Sequence, residues 1–454
     1  MKISIVGAGS VGQELCEDLS MKLYDVTLIE INEEKLSILL GNYDINGVVG
    51  NGATIETLRE AQIEECDIFI AVTDHDEINL LSTMIAKELG AKYTVARVSD
   101  PQYEDYIGFA DGKFGIDYII SPEIEAANEL LVNMRYPHAT SVESFFDEKI
   151  QLVGIPVQEE SSIVGLALEN IHHEFDAIDD ILICFVEREH EVFIPSGSFI
   201  IQAGDIIHLI GEKQALKSFN RLTGHDDTKI KSVLIIGAAN IAFYLVPKLI
   251  CHNVAVKVIE QQNRKALALS ALNPKATVIE ADGSHPDVLN EAHLDQFDAF
   301  VPLTGIDEEN IVIGILARRR GVKKVLTRVE RIALADETGL VGNQAIITPH
   351  RLFADKVLQI IRSLQTSAGS SIEKFYRLAN YNVELTEFVV EENHRHLINQ
   401  ELRQLNLKNN ILIAAIYRDH ELLIPSGNDR LLVGDRTVIV SYQQSIGELE
   451  EIIK

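Results

Sequence analysis

Short apolar runs alternate with helical patterns along the first 120 residues. Strand-like Lys2–Val6, Asp25–Glu30, Asn46–Val49, Ile68–Thr73 and Tyr93–Val98 are separated by segments of 3.6-residue periodicity at Gln13–Met21, Glu33–Leu40 and Ile78–Leu89. Strands alternating with helices of this length predict βαβ units and a parallel sheet. Ile116–Ile120 adds a sixth strand, and Ser121-Pro122-Glu123 starts a helix with an N-cap and a proline at its first position, running towards Met134. From Lys149 the pattern changes. Gln151–Val157, Ile181–Glu187, Val192–Pro195 and Ile206–Ile210 are β-branched runs between turn residues, which predict a small α+β unit.

The whole pattern then repeats. Ile5-Val-Gly-Ala-Gly-Ser-Val-Gly12 returns as Ile235-Ile-Gly-Ala-Ala-Asn-Ile-Ala242, and Thr73-Asp-His-Asp-Glu-Ile-Asn79 as Thr304-Gly-Ile-Asp-Glu-Glu-Asn310. Arg97 returns as Arg328, and Ile194-Pro-Ser-Gly197 as Ile424-Pro-Ser-Gly427, always at an offset of 230 or 231 residues. So long a period, far beyond the ~20–50 residues of solenoid repeats, means that each copy carries complete domains. The expected fold is α/β, with two tandem Rossmann-like domains on parallel sheets, each followed by a small α+β subdomain. The boundaries read as 1–122, a crossover helix over 123–143, 144–222, then 231–348, a crossover helix over 349–372, and 373–454. Gly224–Thr228 is expected to be a linker, Gln365–Ser371 a joint, and the second β-rich subdomain to start near Tyr381.

Composition narrows the partners. At 454 residues the chain exceeds one core. The net charge of −29 repels nucleic acid and anionic lipid, so neither nucleic-acid binding nor direct lipid insertion is expected. No apolar stretch reaches the ~18–20 residues that span a bilayer, and no signal peptide is expected before the first strand. The four cysteines are scattered and predict neither disulfides nor a zinc site. The protein reads as cytoplasmic.

Gly7-x-Gly9-x-x-Gly12 lies between a predicted strand and a predicted helix, the context of a dinucleotide fingerprint. Gly7 permits the turn, Gly9 lets a pyrophosphate approach the backbone, and Gly12 lets helix and strand pack. The helix start supplies amides to the anion. Glu30, ending the next strand, is the expected ribose acceptor, which favours NAD(H) or an adenine nucleotide over NADP(H). In the second copy Glu260 keeps its place, but Ala239 and Ala242 replace two glycines, and weaker or differently posed binding is expected. Thr73 and Thr304 are expected to cap helices with acids in the first turn. Thr73 and Asp74 end the fourth strand at the ligand crevice. Arg97 pairs there with a phosphate or with a facing carboxylate, and Asn51 lies within reach of ribose or adenine. His172-His173-Glu174 lacks the i, i+4 spacing of a zinc pair, and Arg318-Arg-Arg320 suits a helix C-terminus. No nucleophile–base pair is evident, so no catalytic residue, no metal site and no enzyme are expected. An NAD-dependent oxidoreductase with a duplicated Rossmann domain is the alternative, and it lacks the acid–base pair it needs.

The glycine loop, Glu30, the Val72–Asn79 segment with its copy at Leu303–Asn310, Arg97 and the Ile-Pro-Ser-Gly subdomains resemble the TrkA family of bacterial Trk-type potassium uptake systems. The resemblance covers essentially the whole chain. It implies tandem RCK N and RCK C domains in a regulatory protein, peripheral on the inner face of the cell membrane. Such a protein assembles as a ring, a tetramer or dimer of dimers, and docks on a potassium-translocating membrane protein. It also implies NAD(H) and ATP/ADP as ligands. Carried over by position, Gly7, Ala8, Gly9, Ser10, Val11, Glu30, Thr73, Asp74 and Arg97 form the first nucleotide site, and Gly237, Ala238, Ala239, Asn240, Ile241 and Glu260 the second.

Overall fold

A computed structural model describes residues 1–21, 24–103, 114–146, 149–174, 181–189, 191–223, 229–331, 345–366, 372–378, 382–444 and 446–454. The first unit runs β1 (Lys2–Val6), α1 (Ser10–Ser20), β2 (Asp25–Glu30), α2 (Glu33–Asn42), β3 (Asn46–Val49), α3 (Ile55–Glu60), β4 (Ile68–Ala71), α4 (Asp76–Leu89), β5 (Tyr93–Arg97) and β6 (Tyr118–Ile120). Its sheet is parallel, in the order β3-β2-β1-β4-β5-β6. Helix α5 (Pro122–Arg135) follows, its start capped by Ser121, whose hydroxyl accepts from the Ile124 amide. Then come β7 (Ser141–Phe145), β8 (Ile150–Pro156), α6 (Leu168–Glu174), β9 (Ile181–Arg188), β10 (Glu191–Phe193), β11 (Ile206–Glu212) and α7 (Lys213–Leu222). These strands form an antiparallel sheet ordered β10-β9-β11-β8-β7.

The second half repeats both sheets. β12 (Ser232–Ile236), α8 (Asn240–Cys251), β13 (Ala255–Glu260), α9 (Asn263–Leu272), β14 (Thr277–Glu280), α10 (Pro286–Glu291), β15 (Ala299–Pro302), α11 (Asp307–Arg319), β16 (Lys324–Arg328) and β17 (Ala345–Ile347) make the parallel sheet β14-β13-β12-β15-β16-β17. Helix α12 (Pro349–Thr366) leads to β18 (Ile372–Leu378), β19 (Val383–Val389), β20 (Ile411–Arg418), β21 (Glu421–Leu423) and β22 (Arg436–Tyr442), ordered β18-β19-β22-β20-β21.

Several expected bounds move. Helix α1 begins at Ser10 rather than Gln13, because Gly9 already has N-cap geometry. β4 stops at Ala71, which leaves Thr73 beyond the strand. The second antiparallel sheet starts with β18, ahead of Tyr381, and Gln365 and Thr366 are still helical; residues 367–371 and the 224–228 linker lie outside the described residues. β7 and β18 carry the charged residues Glu143, Glu373, Lys374 and Arg377, which hides them from an alternation test.

The turns after the Ile-Pro-Ser-Gly segments, ending at Asp205 and Asp435, are held by a repeated ion pair. Arg188 meets Asp205 through Nε and NH2 at 2.6 and 2.7 Å, and Arg418 meets Asp435 in the same way at 2.7 Å each. Bidentate geometry and a buried carboxylate make these stronger than ordinary surface pairs.

The crossover helices are exchanged between the halves. Ala126, Ala127, Leu130 and Met134 of α5 are buried in the second Rossmann core with Ile241 and Leu245 of α8. Phe353, Ala354, Val357, Leu358 and Ile361 of α12 are buried in the first, with Leu15, Cys16 and Leu19 of α1. The two antiparallel sheets also share a core, in which Phe146 stacks on Tyr417 at 5.2 Å and Tyr376 Oη donates to Ser144 O at 2.8 Å. The molecule is thus an intramolecular pseudo-dimer.

This exchange buries charge. Asp18 of α1 meets Arg377 of β18 at 2.5 Å, and Arg362 meets Glu384 at 3.4 Å. Burial pushes Glu129 up and Lys324 down, the lysine donating to Ala139 O at 2.5 Å. Burial also pushes Asp355 up to about 7 from its ordinary 3.8; Arg351 and Arg377 oppose the rise, and Asp18 and Glu14 add to it. The folded chain therefore keeps this proton up to about pH 7 while the unfolded chain releases it near 3.8, so stability falls as pH rises between those values. With 19% of the side chain still exposed, screening reduces the effect to the order of 1–2 kcal/mol. Thermal melts should show a falling midpoint through this window, and Asp355→Asn should flatten it. An unchanged slope in that variant would remove Asp355 as the cause.

Candidate functional site

The C-terminal ends of β1 and β4 flank the point where strand order reverses, the place where open α/β sheets bind ligands. Gly7 sits there at φ +107°, and its amide donates to Ile29 O at 2.9 Å. A side chain at Gly7 would meet the Thr73 amide nitrogen at 3.0 Å. At Gly12 a Cβ would lie 1.9 Å from the Gly7 carbonyl oxygen, so this glycine lets α1 touch the loop. Gly9 differs: a Cβ there would meet nothing closer than Asp74 Oδ1 at 3.9 Å. The space in front of Gly9 is open, as a phosphate cradle requires.

Glu30 closes the other side. Its Oε2 accepts from the Ala8 amide at 2.7 Å and its Oε1 from the Asn32 amide at 2.9 Å. Each oxygen retains acceptor capacity for a ribose hydroxyl. Ser10 is exposed at the helix start, whereas the side chains of Ala8 and Val11 are buried in the core, which leaves only their backbone for a ligand.

Asn51 is engaged locally: its Oδ1 accepts from the Ala53 amide at 3.0 Å, and its carbonyl from Thr54. Thr73 is not a helix cap. His75 holds that position in α4 and Ile306 in α11, neither with a side-chain cap bond. The Thr73 amide and hydroxyl both donate to Asn79 Oδ1, at 2.8 and 2.7 Å, and Asn79 Nδ2 donates to Thr73 O and Arg97 O at 3.0 Å. Asn79 therefore ties the loop after β4 to the end of β5. Asp76 is buried and accepts from the Ser99 and Asp100 amides. Sequence reasoning gave Asn79 no role; the signal was its recurrence as Asn310, which makes the equivalent bonds to Thr304 and Arg328.

Arg97 NH1 donates to Thr73 O at 3.2 Å, and the guanidinium stands 3.9 Å from Asp74 and 4.0 Å from Glu123. Of the two expected partners, a phosphate or a facing carboxylate, the carboxylates Asp74 and Glu123 are the ones beside it. Arg97 Nε is buried without a hydrogen-bond partner among the described residues. Burial raises the Glu123 carboxyl against the pull of Arg97.

In the second half Gly237 repeats the loop turn at φ +96°, and Glu260 accepts from the Ala238 and Gln262 amides at 2.5 and 2.6 Å. A cavity of about 330 Å³ opens here, bounded by Gly237, Ala239, Glu260, Lys265, Thr304 and Gly305, among others. Asn240 does not face it freely: its Nδ2 donates to Ser99 O of the first half at 3.0 Å. The Ile241 and Ala238 side chains are buried.

Residues 3–122 and 233–349 match the TrkA-N domain, and residues 152–224 and 385–454 the TrkA-C domain. The chain belongs to the TrkA family. It is 29% identical to the Trk system potassium uptake protein TrkA of Haemophilus influenzae, covering 100% of this chain and 99% of that one. A TrkA homolog of Archaeoglobus fulgidus is 28% identical over 100% of both chains. Among solved structures, the GsuK channel bound to NAD aligns with a TM-score of 0.62 at 15% identity, over 97% of this chain and 76% of that one. The GsuK RCK domain aligns at 0.61 and 16%, over 97% and 92%. The TrkA family fold, two parallel-sheet units each followed by an antiparallel unit, is the one described above. Among the described residues no helix is long and apolar enough to cross a membrane, and no group of histidines, cysteines and acids is arranged to hold a metal ion.

Proposed function

We propose that this TrkA-family chain is the peripheral regulatory subunit of a potassium uptake system, binding NAD(H) or ATP/ADP and passing that occupancy to a potassium-translocating membrane protein. The observation that carries the reading is the open cradle at Gly9, with Glu30 beside it and Arg97 at its mouth, its buried Nε without a hydrogen-bond partner among the described residues. The amides of Gly9, Ser10 and Val11 at the α1 start would hold a pyrophosphate, Glu30 the ribose, and Arg97 the charge. Thr73 serves by keeping Arg97 in place.

The surroundings favour regulation over catalysis. Cys16, on α1 behind the loop, is buried and its thiol is pushed up to about 12, which makes it inert as a nucleophile. The buried face of α1 rests on α12, and Asp18 at its far end holds Arg377 of β18. A shift of α1 at the crevice therefore reaches both the exchanged helix and the second antiparallel sheet. A nucleotide drives such a shift only if it binds the two arrangements with different affinity, with ~1–3 kcal/mol a typical coupling. Assembly as a homo-oligomer at the inner face of the cell membrane belongs to the same reading.

Two measurements test it. Glu30→Ala should weaken binding of NADH to the full chain by about tenfold or more, the worth of one charge-assisted contact. Deleting the gene should impair growth at low external potassium. Normal growth at the lowest concentration, in cells with no parallel uptake system, would sink the transport role.

A further inference from the structure

The most basic stretch of the chain has no part in the crevices described above. Arg318-Arg-Arg-Gly-Val-Lys-Lys324 carries five cationic residues in seven, in a chain of net charge −29. Its counterpart in the first half, Lys87-Glu-Leu-Gly-Ala-Lys-Tyr93, carries two and an acid. Both stretches have the same place in the fold: each ends a helix, turns at a glycine of positive φ (Gly90, Gly321) and enters the next strand of a parallel sheet. A helix C-terminus presents about half a negative charge, and in the first half Lys87 is the one basic residue of the last turn. Three arginines at the same point exceed what the fold requires, and so does Lys324 in place of Tyr93.

Part of the extra charge borders a cleft between the halves. A cavity of about 170 Å³ is bounded by Arg318, Lys323 and Lys324 of the second parallel unit and by His138, Thr140 and Gln158 of the first half, among others. No acidic side chain bounds it among the described residues. Lys324 is 4% exposed, donates to Ala139 O at 2.5 Å and Tyr136 O at 3.4 Å, and forms no ion pair among the described residues. Burial pushes this lysine down to about 7 against the pull of Glu129, so its charge gains from an anion beside it. Lys323 stands 3.8 Å from Asp298, whose other oxygen already accepts from the Lys231 and Ser232 amides at 2.9 and 3.1 Å. The first half neutralises its own charge at this point. Lys87 pairs with Asp117 at 2.7 Å, and the sequence has Gln344 before β17 where Asp117 stands before β6.

We propose that this cleft is an oxyanion site for a compact phosphate, either inorganic phosphate or the phosphate end of a small monoester. Arg318 and Lys323 contact its oxygens from the second half, and His138 and Thr140 donate from the first. Buried Lys324 keeps the potential positive behind them. Arginine suits a phosphate because its planar N–H groups meet two oxygens at once. The cavity lies below the ~300 Å³ at which pockets for drug-sized ligands begin, which limits the ligand to a compact group. Bound there, phosphate ties the 137–140 connection between α5 and β7 to β16 of the other half, and so stiffens the crossing of the two halves. The site is independent of nucleotide binding in either crevice.

Calorimetry on the full chain at fixed ionic strength tests it, with inorganic phosphate and glycerol phosphate as separate probes. At least one should bind, and the tighter of the two identifies the source. Arg318→Gln combined with Lys323→Gln should weaken binding by about tenfold or more, the worth of at least one charge-assisted contact. Lys324→Met should act in the same direction, and the exposed pair carries the test if that buried substitution does not fold. Hydrogen exchange locates the site: the bound probe should slow the amides of residues 138–140 and of β16. No binding of either probe, affinity indifferent to the Arg318 and Lys323 substitutions, or protection confined to the loops at Gly7 and Gly237 would each overturn the assignment.

Discussion

Residues 1–223 expressed alone are expected not to give a folded monomer. The first Rossmann core is completed by α12 from the other end of the chain, with Phe353, Val357, Leu358 and Ile361 covering Leu15, Cys16 and Leu19. Truncating a single buried Phe costs about 3–5 kcal/mol and a Leu or Ile about 2–5. Removing the whole helix therefore exceeds the ~5–15 kcal/mol net stability of a typical domain. The same fragment would expose Ala127, Leu130 and Met134 of α5, which have lost α8. Those two bare faces are related by the internal repeat, so the economical outcome is a swapped homodimer, with aggregation as the competing one. Light scattering after size exclusion checks this. A monodisperse, cooperatively melting monomer at micromolar concentration would show that α12 is dispensable. In the full chain, Phe353→Ala should speed hydrogen exchange in β1 and α1, far away in sequence and adjacent in space.

Gly12→Val is expected to unfold the first glycine loop, whereas Ala242→Gly should change little. At Gly12 a Cβ would sit 1.9 Å from a backbone carbonyl oxygen, which cannot rotate away as a side chain would. Helix α1 would have to withdraw from the loop. That disturbs the bond from the Ala8 amide to Glu30, and it opens the contact of Leu15 and Leu19 with α12. Overpacking of this kind costs ~1–3 kcal/mol and sometimes more, and a backbone obstacle places it at the upper end. The second half already accommodates Ala242, fully buried, by its tighter first turn. Thermal melts and NADH titration of both variants decide the matter. A Gly12→Val chain with wild-type stability and affinity would mean that the loop relaxes freely and that Gly12 is not the packing glycine.

Much of the site was legible because its signals are local. A glycine at positive φ, an acid ending the next strand and a serine before a helix proline each act within a few residues, and Gly7, Glu30 and Ser121 stand as the pattern required. Thr73, Asn51 and Asn240 were harder. Their side chains are polar and short, and whether such a group faces a ligand or satisfies a nearby backbone depends on atoms brought in by other elements. Asn79 takes Thr73, Asn51 bends onto its own loop, and Asn240 finds Ser99 of the other half.

By itself the sequence determined the duplication, the two parallel sheets, the glycine loops and the asymmetry at Ala239 and Ala242, because periodicity, conformational preference and residue size are written one position at a time. Only the tertiary structure decided that α5 and α12 change places, that β7 and β18 extend the antiparallel sheets, and that Glu330 pairs with Arg328. An amphipathic helix states that one of its faces must be buried, but apolar burial has no direction and little specificity. Two copies of one pattern offer each helix two nearly equivalent faces to cover. Which of them it covers is settled by shape, by chain length between the elements and by the ion pairs, such as Asp18 with Arg377, that only close when the helices cross.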